Sequence, residues 1–257
     1  MTASGSRLSY MLDDAAQETL LRDLPVGSKL SFDAQTPGFT MLTIEDKQKS
    51  FSYGFQLGAN GYCKFESAQM KTRGTNLSAI VMRNIVEIVP ELGVRSIEIY
   101  AAEIGAYLWG RAGFAPHQSE WQRMVPRLQK RLDYLVSVNG SAIAGAAETM
   151  RKDLMRADPK TLWKIADCKE TLDDGSTLGK AILLAWSPEN FPDAKALTDD
   201  VPKDLSDVVS WRGKLDLQDS PSDDRLYDYI ESASHMAERH DDVVTVSVAA
   251  GKPVLKP

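Results

Sequence analysis

Lys71, Thr72, Arg73, Gly74, Thr75 and Asn76 follow one another where the chain changes character. The preceding run, Tyr62 to Met70, is rich in strand formers, and Leu77, Ile80, Val81, Ile85, Ile88 and Val89 then recur at helical spacing. A glycine-containing turn with basic side chains at the amino end of a helix presents unpaired backbone N–H groups and the positive end of the helix dipole. That arrangement suits an anion, and the ligand expected there carries phosphate. A plain strand-to-helix turn is the alternative.

Other chemistries find less support. The three histidines, His117, His235 and His240, are scattered late in the chain, and no Ser/His/Asp or Cys/His arrangement can be picked out. The two cysteines, Cys63 and Cys168, lack metal-ligand spacing and read as buried small hydrophobes. No metal is expected. A formal charge of -6 on 257 residues argues against general nucleic-acid binding. The first residues lack the basic start and apolar run of a secretory signal, and no stretch is long and apolar enough for a bilayer. A reducing, cytoplasmic setting without membrane contact is expected.

Elements must position the turn. An imperfect amphipathic helix is expected from Leu8 to Leu24. The runs Lys29 to Phe32, Phe39 to Ile44, Phe51 to Leu57 and Tyr62 to Met70 read as an antiparallel meander. A helix from about Leu77 to Leu92 leads to a strand at Ser96 to Tyr100, which implies a parallel pair across the helix and hence a mixed sheet. A short helix, Ala102 to Arg111, precedes Gly113-Phe114. Helices are then expected at 120–137, 141–156 and 160–169, a loop at 197–207, a returning strand at 211–217 and a helix at 223–238.

The turn Lys71-Thr72-Arg73-Gly74-Thr75-Asn76 and the later Trp109-Gly110-Arg111-Ala112-Gly113-Phe114 resemble the GNAT family, the Gcn5-related N-acetyltransferases. Their signature is Gln/Arg-x-x-Gly-x-Gly/Ala after the fourth strand, then a helix, a fifth strand and a helix ending in Tyr-x-x-x-Gly-Phe. The likeness covers roughly residues 38–116. It implies an α+β fold with a mixed sheet flanked by helices, and a mainly helical C-terminal extension. The expected divisions are an N-terminal helix (1–27), a GNAT-like acyl-CoA-binding core (28–117), a helical insertion (118–196), and a last part (197–257) of acidic loop, returning strand, helix and tail.

The resemblance also implies acetyl-coenzyme A as cosubstrate and an amine on a small molecule or protein as acceptor. Lys71, Arg73, Gly74, Thr75 and Asn76 would form the diphosphate cradle, with backbone around Ala68, Gln69 and Met70 along the pantetheine arm. In such enzymes the fourth and fifth strands splay, and the thioester enters the gap. Trp109 stands where many relatives carry the tyrosine that reprotonates the thiolate, with Tyr107 two residues earlier; Ala102 and Asn76 are further departures. Removal of the amine proton needs a base, for which Glu66, Glu98 and His117 are the candidates. The alternative is a catalytically degenerate GNAT-like structural or interaction protein, similar to phage-associated or delivered effector proteins, in a virion or a target cell. Self-association or a stable large-particle assembly, with no coenzyme in the purified protein, would favour this alternative. Arg123, Arg127, Lys130 and Arg131 form a basic stripe read as a solvated helix face, with the coenzyme's ribose phosphate as the other reading.

Overall fold

The computed structural model describes residues 12–36, 39–46, 51–58, 61–70, 77–198 and 201–232. The chain is α+β and divides into two compact units, one formed by Met1–Val94 with Tyr227–Pro257 and the other by Arg95–Leu226. The division falls between the helix after the fourth strand and the fifth strand.

In the first unit, β1 (Ser28–Thr36), β2 (Phe39–Asp46), β3 (Phe51–Gly58) and β4 (Tyr62–Met70) pair antiparallel in chain order, as the meander pattern predicts. Alternation sorts the side chains: Leu42 and Ile44 of β2, and Phe51, Tyr53, Phe55 and Leu57 of β3, are buried. Its described residues include two whole helices. The shorter, α1 (Asp14–Leu21), is begun by Asp13, whose carboxylate accepts from the Ala16 N–H at 2.9 Å. The longer, α2 (Leu77–Ile88), buries Val81, Met82, Ile85 and Ile88. Asn84 in the middle of α2 is fully buried because its amide donates to the Leu20 and Arg22 carbonyls, at 3.2 and 2.8 Å, closing the end of α1.

The second unit holds β5 (Ser96–Ala101), β6 (Ala115–Pro116) and β7 (Trp211–Asp216), with β7 in the middle and both pairings antiparallel. The run from β4 through α2 to β5 has the expected order. Ile97, Ile99, Ala101, Trp211 and Leu215 are buried, while Tyr100, Arg212 and Lys214 on the alternate face are exposed. Gly213 permits the close approach of β6, since a Cβ there would sit 2.1 Å from the Ala115 carbonyl oxygen.

Helices form the rest of this unit: α3 (Gly105–Arg111), α4 (Gln118–Asn139), a 3-10 turn (Gly140–Ile143), α5 (Ala144–Leu154), α6 (Thr161–Ala166), α7 (Leu178–Leu183), α8 (Lys195–Thr198) and α9 (Lys203–Ser206). The segment expected as a loop at 197–207 therefore contains helical turns. Pro126 lies inside α4, and the helix continues through it on a buried stripe of Trp121, Met124, Leu128, Leu132 and Leu135. Burial of each such aliphatic side chain stabilises the fold by roughly 1.5–3 kcal/mol. A final helix spans 220–232, and the remainder of the C-terminal helix expected at 223–238 lies outside the described residues.

The basic stripe on α4 has a structural use that the solvated-face reading missed. Arg123 donates to the Ser210 carbonyl at 2.9 Å, Arg127 to Val208 at 3.2 Å and Asp207 at 2.7 Å, and Arg131 to Asp207 at 3.1 Å and to the Leu184 carbonyl. Spacing of four residues aims the three guanidiniums along one line of α4, against the segment entering β7. Arg131 is fully buried, its guanidinium 4.5 Å from the Trp186 ring centroid. Burial, and next the neighbouring Arg127 charge, bring its pKa down to about 9, so it stays cationic at neutral pH. Lys130, which faces Asp204 at 3.8 Å, and Arg123 keep largely exposed side chains.

Candidate functional site

The proposed phosphate turn, Lys71, Arg73, Gly74, Thr75 and Asn76, lies outside the described residues, as do the side chains of Gln69 and Met70. The strand leading to it is described and is irregular. Gly54 of β3 pairs with Ser67 and Phe55 pairs with Phe65, so Glu66 is one residue extra on β4. This is a β-bulge, and it resets which residues share a face. Strict alternation from Cys63 and Phe65 would put Ser67 on the buried face; the extra residue puts Ala68 there, opposite Tyr53.

Ala68 is nevertheless exposed, although Tyr53 and Phe65 on that face are buried. The face of β4 is therefore open just before the turn. A bulged residue interrupts the regular ladder between β3 and β4. Glu66 itself forms an ion pair with Lys64 at 2.7 Å, both side chains about one third exposed (31% and 34%). That partner competes with the role of free base. The Tyr53 hydroxyl lies 2.7 Å from the Ser78 hydroxyl in the first turn of α2, and burial raises its pKa to about 12. It stays protonated at neutral pH.

The second unit brings together two of the three candidate bases. Glu98 projects from the open face of β5, and His117 stands between β6 and α4; Glu98 Oε2 and His117 Nε2 are 2.8 Å apart. Their side chains are 28% and 40% exposed, so the pair is within reach of solvent and of a ligand. The chain path that makes it is short: Glu98 pairs with Lys214, Ala115 pairs with the same Lys214 on its other side, and the His117 N–H donates to the Arg212 carbonyl at 2.9 Å. A carboxylate that accepts from one imidazole nitrogen fixes the tautomer and leaves the other nitrogen to accept a proton. Sequence spacing did not join these residues, because only β7, arriving about a hundred residues later, holds β5 and β6 in one sheet.

Tyr107 and Trp109 on α3 are both buried, each 8% exposed. The Arg111 guanidinium lies 5.9 Å from the Tyr107 ring centroid. Trp109 belongs to the helix end. The Phe114 N–H donates to the Trp109 carbonyl at 3.0 Å and the Gly113 N–H to Gly110 at 3.5 Å, with Gly113 at φ +90°. These are the bonds of a Schellman cap, and the Trp109–Phe114 ring contact at 5.3 Å is the apolar contact that accompanies it. The Trp-x-x-x-Gly-Phe pattern is thus accounted for as a helix stop without a ligand.

The cysteines differ. Cys63 on β4 is fully buried and burial raises its thiol pKa to about 12, whereas Cys168 is half-buried and raised by the same cause. Cys168 lines a concavity of about 680 Å³ between α5, α6 and residues 167–171, alongside Thr149, Met150, Lys164 and Ile165. Among the described residues no group of three or more His, Cys, Asp or Glu is placed to hold a metal, and no helix is long and apolar enough to cross a membrane. No family model, curated protein or solved structure matches the chain.

Proposed function

We propose that the chain is a GNAT-like N-acyltransferase that moves an acetyl group from acetyl-coenzyme A to an amine. The observation that carries the reading is the bulge at Glu66. It interrupts the ladder of β4 and opens the Ala68 position beside the segment whose sequence suits a diphosphate. Backbone N–H groups released from a ladder are fixed dipoles, suited to polarising a thioester carbonyl.

The chain's own groups supply the proton chemistry. The acceptor arrives as an ammonium and must lose a proton before it can attack. Within the second unit, His117 and Glu98 are the pair suited to taking a proton from an amine, with Glu98 stabilising the imidazolium through the 2.8 Å contact. The amine nitrogen then bonds to the acyl carbon, the carbon–sulfur bond breaks, and the thiolate leaves and takes up a proton. Tyr107 and Trp109 are buried, and an indole N–H is too weak an acid, so solvent supplies this last proton. Of the three candidate bases, Glu66 is the one held by a lysine, Lys64.

Release of free coenzyme thiol in the presence of an amine panel tests the reading. His117→Gln should lower turnover by about 10²–10⁴-fold, the usual contribution of a general base. Turnover unchanged in that variant would remove the pair from the chemistry. A second reading, a non-catalytic GNAT-like interaction protein, is favoured by Trp109, whose place in a helix cap explains the family-like ending without chemistry. It predicts no thiol release with any amine.

A further inference from the structure

The junction of β6 with α4 sets the acid–base pair in place. β6 pairs with β7 at Ala115–Lys214 and Pro116–Gly213 and then stops. His117 keeps half of the next rung, its N–H donating to the Arg212 carbonyl at 2.9 Å. A continued antiparallel ladder would return the Arg212 N–H to the His117 carbonyl, since the two groups of one residue point to the same side. That carbonyl instead opens α4, accepting from the Trp121 N–H at 2.9 Å. The Arg212 N–H is left facing the first turn of the helix.

Glu120 supplies the partner. It is the third residue of α4, the position from which a capping-box glutamate reaches back to the N–H of the capping residue. The His117 N–H is already engaged by β7, and the Glu120 carboxylate receives the Arg212 N–H in its stead. Arg123 adds a second tie, its guanidinium 2.6 Å from Glu120 and 2.9 Å from the Ser210 carbonyl. Arg123 first, and then the N–H and charge of Arg212, hold the Glu120 carboxyl below its ordinary range, so it is ionised at neutral pH. From the β5 side, Arg212 pairs with Tyr100, whose ring centroid lies 5.8 Å from its guanidinium.

We propose that Glu120 is a positioning residue for the base: by docking the start of α4 on the backbone of β7, it holds the His117 imidazole against Glu98, which β5 carries on the other side of that strand. The consequence for turnover rests on the acyl-transfer reading; the positioning is tested apart from it.

The test follows the ring nitrogens of isotope-labelled histidine in the full chain by NMR, with His117 assigned by loss of its signals in His117→Gln. Glu98→Gln should move the His117 Nε2 resonance, which marks loss of the 2.8 Å contact. Glu120→Ala should move it in the same direction at unchanged circular dichroism. Glu98→Gln added to Glu120→Ala should then move it less than in the native background, because substitutions acting through one contact are not additive. Glu120→Gln keeps an acceptor for the Arg212 N–H and should leave the resonance near its native position. A resonance unmoved in Glu120→Ala, full additivity with Glu98→Gln, or an equal move in the alanine and glutamine variants would overturn the proposal. With acetyl-coenzyme A and an amine, Glu120→Ala should lower kcat by about 10–100-fold at unchanged KM, the scale of a misplaced catalytic group, and Glu120→Gln should restore most of it. Absence of thiol release in the native chain, with the ring resonance still governed by Glu120, supports the positioning and counts against the acyl-transfer reading alone.

Discussion

Gly113→Ala isolates the cap that ends α3. Gly113 has φ +90°, and a Cβ built there would lie 2.4 Å from the Ser222 carbonyl oxygen and 3.2 Å from the Arg225 Cβ. Two costs follow. A side chain at positive φ is strained by roughly 1–2 kcal/mol. The contact with Ser222 is with backbone, which no rotamer change relieves, so the turn at 219–222 must shift at a cost of about 1–3 kcal/mol. The sum is about 2–5 kcal/mol. Gly175→Ala is the matched control, because Gly175 has φ +81° but no atom within 4 Å of the built Cβ. It bears only the first cost. Reduced freedom of the unfolded chain favours both alanines alike and cancels in the comparison. Urea unfolding followed by tryptophan fluorescence should therefore rank Gly113→Ala below Gly175→Ala by about 1–3 kcal/mol. Equal losses would refute the claim that contact with the 219–222 turn demands the glycine.

Further outcomes follow from the same structure. Arg131→Ala should destabilise by about 3 kcal/mol, since it orphans the Leu184 carbonyl and removes the cation from Trp186; a loss below about 1 kcal/mol in denaturant unfolding would show the ladder to be dispensable. A colorimetric thiol reagent at pH 8 should titrate Cys168 in the native protein and Cys63 only after unfolding, because a thiol pKa of about 12 leaves Cys63 almost wholly protonated. Prompt reaction at both thiols would contradict its burial. The carboxyl of Asp219 is held below its ordinary range by Lys160 first and Ser222 next. The unfolded chain then binds the proton more readily, so this contribution is present above the usual carboxylate pKa and fades as pH falls through the folded value. Asp219→Asn should flatten the acid limb of a stability–pH profile, and an unaltered limb would count against the Lys160 contact.

Local pattern made much of the fold legible. Alternating apolar residues placed β2 and β3, and the spacing of Leu77 to Val89 placed α2, because each of these elements buries one face close to its own sequence neighbours. The bulge at Glu66 was not legible: it depends on how β4 registers against Gly54 and Phe55, a property of the pair. Burial of Arg131 was hidden for a similar reason. A cation on a helix reads as solvated until the carbonyls of Leu184 and Asp207 are seen to meet it. The candidate site was half legible. Glu98 and His117 stood out by residue type, but their contact depends on β7, and Tyr100 and Arg212 became neighbours only through the β5–β7 register. Trp109 and Phe114 fit two readings at once, since a helix stop and a family signature share one pattern.

Calorimetric titration of the intact chain with acetyl-coenzyme A tests the central claim most directly, with Gly74→Leu titrated alongside. The account predicts saturable binding to the native chain, lost in the variant while its unfolding midpoint is retained. Absence of binding to the folded native chain, or equal affinity in the variant, would contradict it.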